Sequence, residues 1–219
     1  MVFAKTNLLC KIFFRKFMSG AEFERRDRRE DNRGEDRSNG DELIPRVSRE
    51  TLDIAAREYY FEVPGSDPLC AATFLEKIRG VNPIVADYIE RLARQIPEGR
   101  YSYWVVQEGV LVYRVLELEF AQRGKEMPIV RREIAGRLKV NIAQEERYFE
   151  KLAISLHREN YELFQSLALS TFWATLLPSR EVPPGQIARL VLESALGVYA
   201  LIKDQAELDR FSSLWSSQD

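Results

Sequence analysis

Residues 101–116 read YSYWVVQEGVLVYRVL, and whether they form a strand or a helix decides the fold class. Tyr101, Tyr103, Trp104, Val105 and Val106 are residue types that favour strands. They run without punctuation into Val110, Leu111, Val112 and Tyr113, then Val115 and Leu116, at helical spacing. A strand here would need a partner, and no other stretch of the chain offers one. A lone strand leaves its N–H and C=O groups unpaired. The spacing therefore predicts a helix over Tyr101–Gln122, closed by Gly124.

Working outward in both directions, the chain is punctuated as helices throughout. Ser48 can cap a helix carrying Leu52, Ile54, Ala55 and Tyr59, which Pro64-Gly65 ends. Asp67-Pro68 places a cap before proline at the first helical position, and Gly80 closes that segment. Asn82-Pro83 repeats the device ahead of Ile84–Ile96, and Pro97-Glu98-Gly99 makes the turn into the deciding stretch. Beyond it, Pro128 opens a segment through Leu138. Another runs from about Ile142 to Leu176, where Pro178 stops it, and Pro183-Pro184 introduces the last, Gln186–Phe211. The expectation is an all-α domain over 47–211, about seven helices in a bundle or helical array, with 212–219 as a short tail.

Two features of this body bear on its environment and history. Leu163–Ser179 carries no charge but is interrupted by Gln165, Ser166, Ser170, Thr171 and Thr175, and is short for a bilayer. It is predicted to be a buried central helix, not a membrane span. Gly109-Val110-Leu111-Val112-Tyr113 echoes Ala195-Leu196-Gly197-Val198-Tyr199, and Pro83-Ile84-Val85 echoes Pro128-Ile129-Val130. Apolar helices resemble one another by chance, so the echoes alone do not establish a duplication.

Upstream the composition changes. Glu22–Asp41 holds eight acids and six arginines with no aliphatic residue. Such a segment buries too little apolar surface to offset its ordering entropy, so 22–46 is read as a disordered polyampholyte tail. Its acids neutralise the Arg25-Arg26-Asp27-Arg28-Arg29 cluster, which argues against a grip on nucleic acid. Residues 1–21 form a basic-apolar leader in which Lys11 splits the apolar run, unlike a signal peptide. Translation from Met18 is the alternative start, and residues 1–18 are otherwise a candidate for weak membrane-surface attachment. Across all 219 residues, 45% hydrophobic, 30% charged and a formal charge of −2 describe a soluble globular protein without a global pull toward nucleic acid. Cys10 and Cys70 flank the charged segment and are read as free thiols of a cytoplasmic protein.

Chemistry is sparse. His157 is the only histidine, so a catalytic triad must use it, and no G-x-S-x-G elbow is present. A di-iron carboxylate bundle would need two Glu-x-x-His pairs, and zinc would need ligands beside its cysteines. Neither exists, nor does a Walker loop, so no cofactor and no metal is expected. An enzyme of unfamiliar type would have to draw on Glu108, Glu133, Tyr113 and His157. The 131–152 stretch has the pattern of a degenerate helix-turn-helix, with Arg131, Arg132, Arg137, Lys139 and Arg147 as its cations. Glu145 and Glu146 on the would-be recognition face repel phosphates. Tyr101, Tyr103, Trp104 and Trp215 are the aromatic candidates for a binding surface. The reading that follows is a non-enzymatic helical interaction or assembly module binding protein, itself included. A DNA-binding regulator is the alternative.

Overall fold

In the computed structural model the deciding stretch is helical from end to end, inside a helix of 24 residues. The structure describes residues 43–60, 68–97, 99–145, 147–176 and 182–216. The leader 1–21 and the segment 22–42 lie outside them. Eight helices follow in order: α1 (Arg49–Tyr60), α2 (Pro68–Val81), α3 (Pro83–Ala93), α4 (Gly99–Gln122), α5 (Arg132–Gln144), α6 (Tyr148–Glu159), α7 (Tyr161–Leu176) and α8 (Pro184–Ser216). No strand occurs among the described residues, and Leu43–Asp219 forms one compact unit.

Sequence and structure differ at several helix ends. The segment after Pro128 is extended, and its helix begins at Arg132 and runs to Gln144, past Leu138 and Asn141. The single helix expected from about Ile142 to Leu176 begins instead at Tyr148 and is two helices, parted at Asn160. The last helix continues beyond Phe211 to Ser216, so most of the expected tail 212–219 is helical. Leu43–Arg46, grouped with the tail by composition, belongs with the body: Ile44 is buried, and the Pro45 carbonyl accepts a buried hydrogen bond.

The two longest helices, α4 and α8, pack against each other at the centre, and α3 packs on both. The α8 core is buried from Ile187 through Ile202 on nearly every face. It is the one helix among the described residues long and apolar enough to cross a membrane, and 72% of its apolar window is buried inside the protein. The helix that holds the uncharged stretch from Leu163, α7, is not central. It buries Leu163, Phe164, Leu167, Thr171 and Ala174 and leaves its opposite face open.

The chain runs through the same four-helix course twice. Pro45-Arg46-Val47-Ser48-Arg49-Glu50 leads into α1, and Pro128-Ile129-Val130-Arg131-Arg132-Glu133 leads into α5, sharing Pro, Val, Arg and Glu. After the second helix of each half comes an asparagine in nearly the same backbone conformation, Asn82 (φ −137°, ψ 69°) and Asn160 (φ −146°, ψ 69°). Each asparagine clasps the other half's lead-in segment. The Val47 N–H donates to Asn160 Oδ1 at 2.6 Å, and Asn160 Nδ2 donates to the Pro45 carbonyl at 3.1 Å. The Val130 N–H donates to Asn82 Oδ1 at 3.1 Å, and Asn82 Nδ2 donates to the Pro128 carbonyl at 3.0 Å. The next N–H of each segment is held by its own half's fourth helix: Ser48 by Glu119 at 2.7 Å, Arg131 by Gln205 at 2.9 Å.

Burial repeats with the same register. Val85, Ala86 and Ile89 of α3 and Leu163, Phe164 and Leu167 of α7 stand at the same steps after their asparagines, and all six are buried. Tyr113 lies beside Asn82 as Tyr199 lies beside Asn160. The 109–113 and 195–199 echo thus marks matching places in α4 and α8. The other echo does not: Pro83 opens α3, whereas Pro128 stands in a lead-in segment and matches Pro45.

Candidate functional site: an apolar groove between α1, α4 and α7

The open face of α7 is a stripe of large apolar side chains. Leu169, Trp173 and Leu176 are 58%, 53% and 56% exposed, and their i, i+4, i+7 spacing sets them on one helical face. With Ser166 and Ser170 they form one wall of a groove of about 570 Å³. Leu52 and Ala56 of α1 and Trp104 and Leu111 of α4 complete it, and none of these lining residues is charged. Leu111 is buried and forms the floor. Trp104 is half-buried, its indole N–H donating to Glu108 Oε1 at 3.3 Å.

The other half supplies an internal comparison. Counting from the two asparagines, Ser166, Leu169 and Trp173 of α7 match Tyr88, Arg91 and Gln95 at and just beyond α3. Arg91 and Gln95 are exposed and polar. Tyr88 fills the space that Ser166 leaves open, its ring lying where a Cβ on Gly197 of α8 would be, and its hydroxyl donates to the Glu193 carbonyl at 2.9 Å. Gly197 stands two residues before Tyr199 as Leu111 stands two before Tyr113. At one of the two related places a large tyrosine of α3 meets a glycine of α8, and at the other a serine of α7 meets a leucine of α4. Arg91 holds the matched place on α3, so the repeated frame does not require Leu169 to be apolar; Gln95 stands past the end of α3, which closes at Ala93. The apolarity of Leu169 needs another cause.

Of the aromatic residues singled out by sequence, only Trp104 reaches the groove. Tyr101 is 1% exposed, a core side chain and not a surface one. Tyr103 is half-buried. Trp215 falls in the last turn of α8, and its side chain lies outside the described residues. Trp173, Leu169 and Leu176 went unnoticed in sequence because the uncharged 163–179 run was read as buried all round. The available signal was its two interleaved faces, 163/164/167/171/174 and 169/173/176.

The remaining candidates sit in separate surroundings. In the helix-turn-helix candidate, Arg131 pairs with Asp209 at 3.4 Å, Arg147 with Glu150 at 3.8 Å, and Glu145 with Lys151. Arg137 faces Asp204, whose carboxyl is raised by burial and by Glu207, and Arg132 and Lys139 are exposed. Asn141, midway along that stretch, lies inside α5 and so does not cap a second helix. Among the residues an enzyme would need, His157 packs edge-on between Tyr161 and Phe164, with ring centroids at 5.4 and 4.9 Å. Tyr113 is buried beside Asn82, and its hydroxyl is pushed up to about 12 by burial and by Glu117. Glu108 is buried beside Trp104, and Glu133 is exposed on the first turn of α5. A cleft of about 360 Å³ between α2 and α4 contains Lys77, Arg114 and Glu117, but Arg114 is bound to Glu117 at 2.6 Å and Lys77 sits over the Phe74 ring. Among the described residues no three His, Cys, Asp or Glu side chains gather as metal ligands. No protein-family model, curated protein or solved structure matches this chain.

Proposed function

We propose that this protein is a non-enzymatic helical interaction module whose working surface is the groove between α1, α4 and α7. The observation that carries the reading is the exposed apolar stripe Leu169, Trp173 and Leu176, with Leu169 set where the repeated frame carries Arg91. Soluble proteins seldom keep a contiguous apolar patch open without a use for it. Leu52, Trp104 and Leu111 widen the stripe into a concave site, the shape that receives the apolar face of a helix. Each stripe residue, about half exposed, would contribute roughly 1 kcal/mol on burial by a partner. Trp173, large and central, is the expected hot spot.

A photo-crosslinking side chain placed at Leu169 tests the reading in the full-length protein. A discrete protein adduct is expected there, with none from the same side chain at Arg91, the matched polar position. Absence of any adduct at Leu169, or equal adducts at both positions, ends it.

A further inference from the structure

We infer that the groove receives the C-terminal tip of α8 from a second copy of this chain, exchanged reciprocally in a two-fold dimer. The inference rests on the groove being an interaction site. Its second support is the same internal comparison, applied to the fourth helices. α4 ends at Gln122, and Gly124, at φ 64°, turns the chain away. By the Tyr113–Tyr199 match, Gln122 corresponds to Leu208, yet α8 runs on as helix to Ser216. The added turns present Phe211 and Leu214, 63% and 55% exposed and three residues apart on one face. From Phe211 to Ser216 the helix carries no charge.

The chain thus departs from its own repeat in two places, and both are exposed, apolar and uncharged. One is a groove and the other a helix tip. A phenylalanine and a leucine at i, i+3 are the anchors an amphipathic helix lays into such a groove. A charged tip would have to shed its water against a lining that offers no counter-charge, and this tip carries none to shed. The tip does not serve its own groove. α8 is one continuous helix, and Phe211 lines the cleft with Val140 of α5, whereas the groove is built by α1, α4 and α7. Two copies exchanging tips would bury both patches twice, and the two-fold closes the assembly.

Light scattering on the full chain over a dilution series reads the result. The wild type is expected at dimer mass. Phe211→Ser/Leu214→Ser and Leu169→Ser/Trp173→Ser change exposed side chains only. Each double variant is expected as a folded monomer by circular dichroism, with association weakened at least tenfold. Mixing the two should restore a heterodimer, because one intact groove then meets one intact tip. A wild type monomeric at every concentration overturns the inference, as does a dimer that survives loss of the tip. If crosslinking at Leu169 still captures a different protein, the groove reading stands and only the occupant is wrong. With neither dimer nor adduct, both fall.

Discussion

Gly197 and Gly136 both lie inside helices, and their neighbours set opposite signs for the same substitution. A Cβ on Gly197 would overlap the Oη, Cζ and Cε1 atoms of Tyr88, a buried ring tied to the Glu193 carbonyl. Gly197→Ala must displace that ring and is expected to cost about 1–3 kcal/mol, the range for overpacked cores. Nothing lies within 4 Å of a Cβ on Gly136. Gly136→Ala should therefore gain about 0.5–1 kcal/mol from helix propensity alone. Urea unfolding of the two variants reads both signs, and a stabilised Gly197→Ala would show that α3 and α8 are not packed as described. The two asparagines give a matched pair in the same assay. Removing either side chain strands a buried valine N–H and a proline carbonyl, and each such group costs about 1–3 kcal/mol. Asn82→Ala and Asn160→Ala should destabilise by similar amounts, since their partners are the same atoms in the two halves.

At the scale of helices, α6 and α8 are joined by one polar tie. The Glu159 carboxylate accepts from Lys203 at 2.7 Å on both oxygens, from Ser155 at 2.6 Å and from Tyr199 at 2.7 Å. Burial alone would raise its carboxyl, but the bonds from Lys203, Ser155 and Tyr199 outweigh burial and hold it below the ordinary 4.5. A carboxyl lowered on folding stabilises fully above its unfolded value and loses that contribution as pH falls through the folded one. Glu159→Gln is therefore expected to cost well under about 1 kcal/mol near neutral pH, because the tie is partly exposed. The difference from wild type should shrink toward zero in acid. Paired thermal melts across pH 7 to 3 check the sign, and a gap that widens in acid contradicts the tie. The tie sits next to the one helix break that sequence missed. Asn82 was legible as a break because Pro83 follows it, whereas Glu159-Asn160-Tyr161 has neither proline nor glycine. Asn160 is instead held by Val47 and Pro45, 113 and 115 residues earlier, a contact no local pattern encodes. The all-α class and most helix starts, by contrast, follow from local capping and spacing. From Leu163 on, α7 carries no charge, but burial on one face and exposure on the other depend on which helices surround it.

For the whole molecule, the repeat explains why the halves act as one body. Each lead-in segment is fixed by an asparagine from the other half, and α4 and α8 pack face to face between them. The repeated arrangement was only half legible. The 109–113 and 195–199 match is visible in sequence, but Pro128-Ile129-Val130 agrees in all three letters with Pro83-Ile84-Val85, which is not its structural counterpart. Its true counterpart, Pro45-Arg46-Val47, is identified by what clasps it. The covalent link between the halves should then matter little to their cohesion. Lys125 and Glu126 are exposed and lie outside any helix, so a protease site inserted there can be cut after folding. The nicked protein is expected to elute with the uncut one in native buffer and to separate into two fragments only in urea. Adding Asn82→Ala and Asn160→Ala to the nicked protein should lower the urea needed to part them. If the fragments separate in native buffer without those changes, the reciprocal clasps and the α4–α8 contact do not hold the halves together.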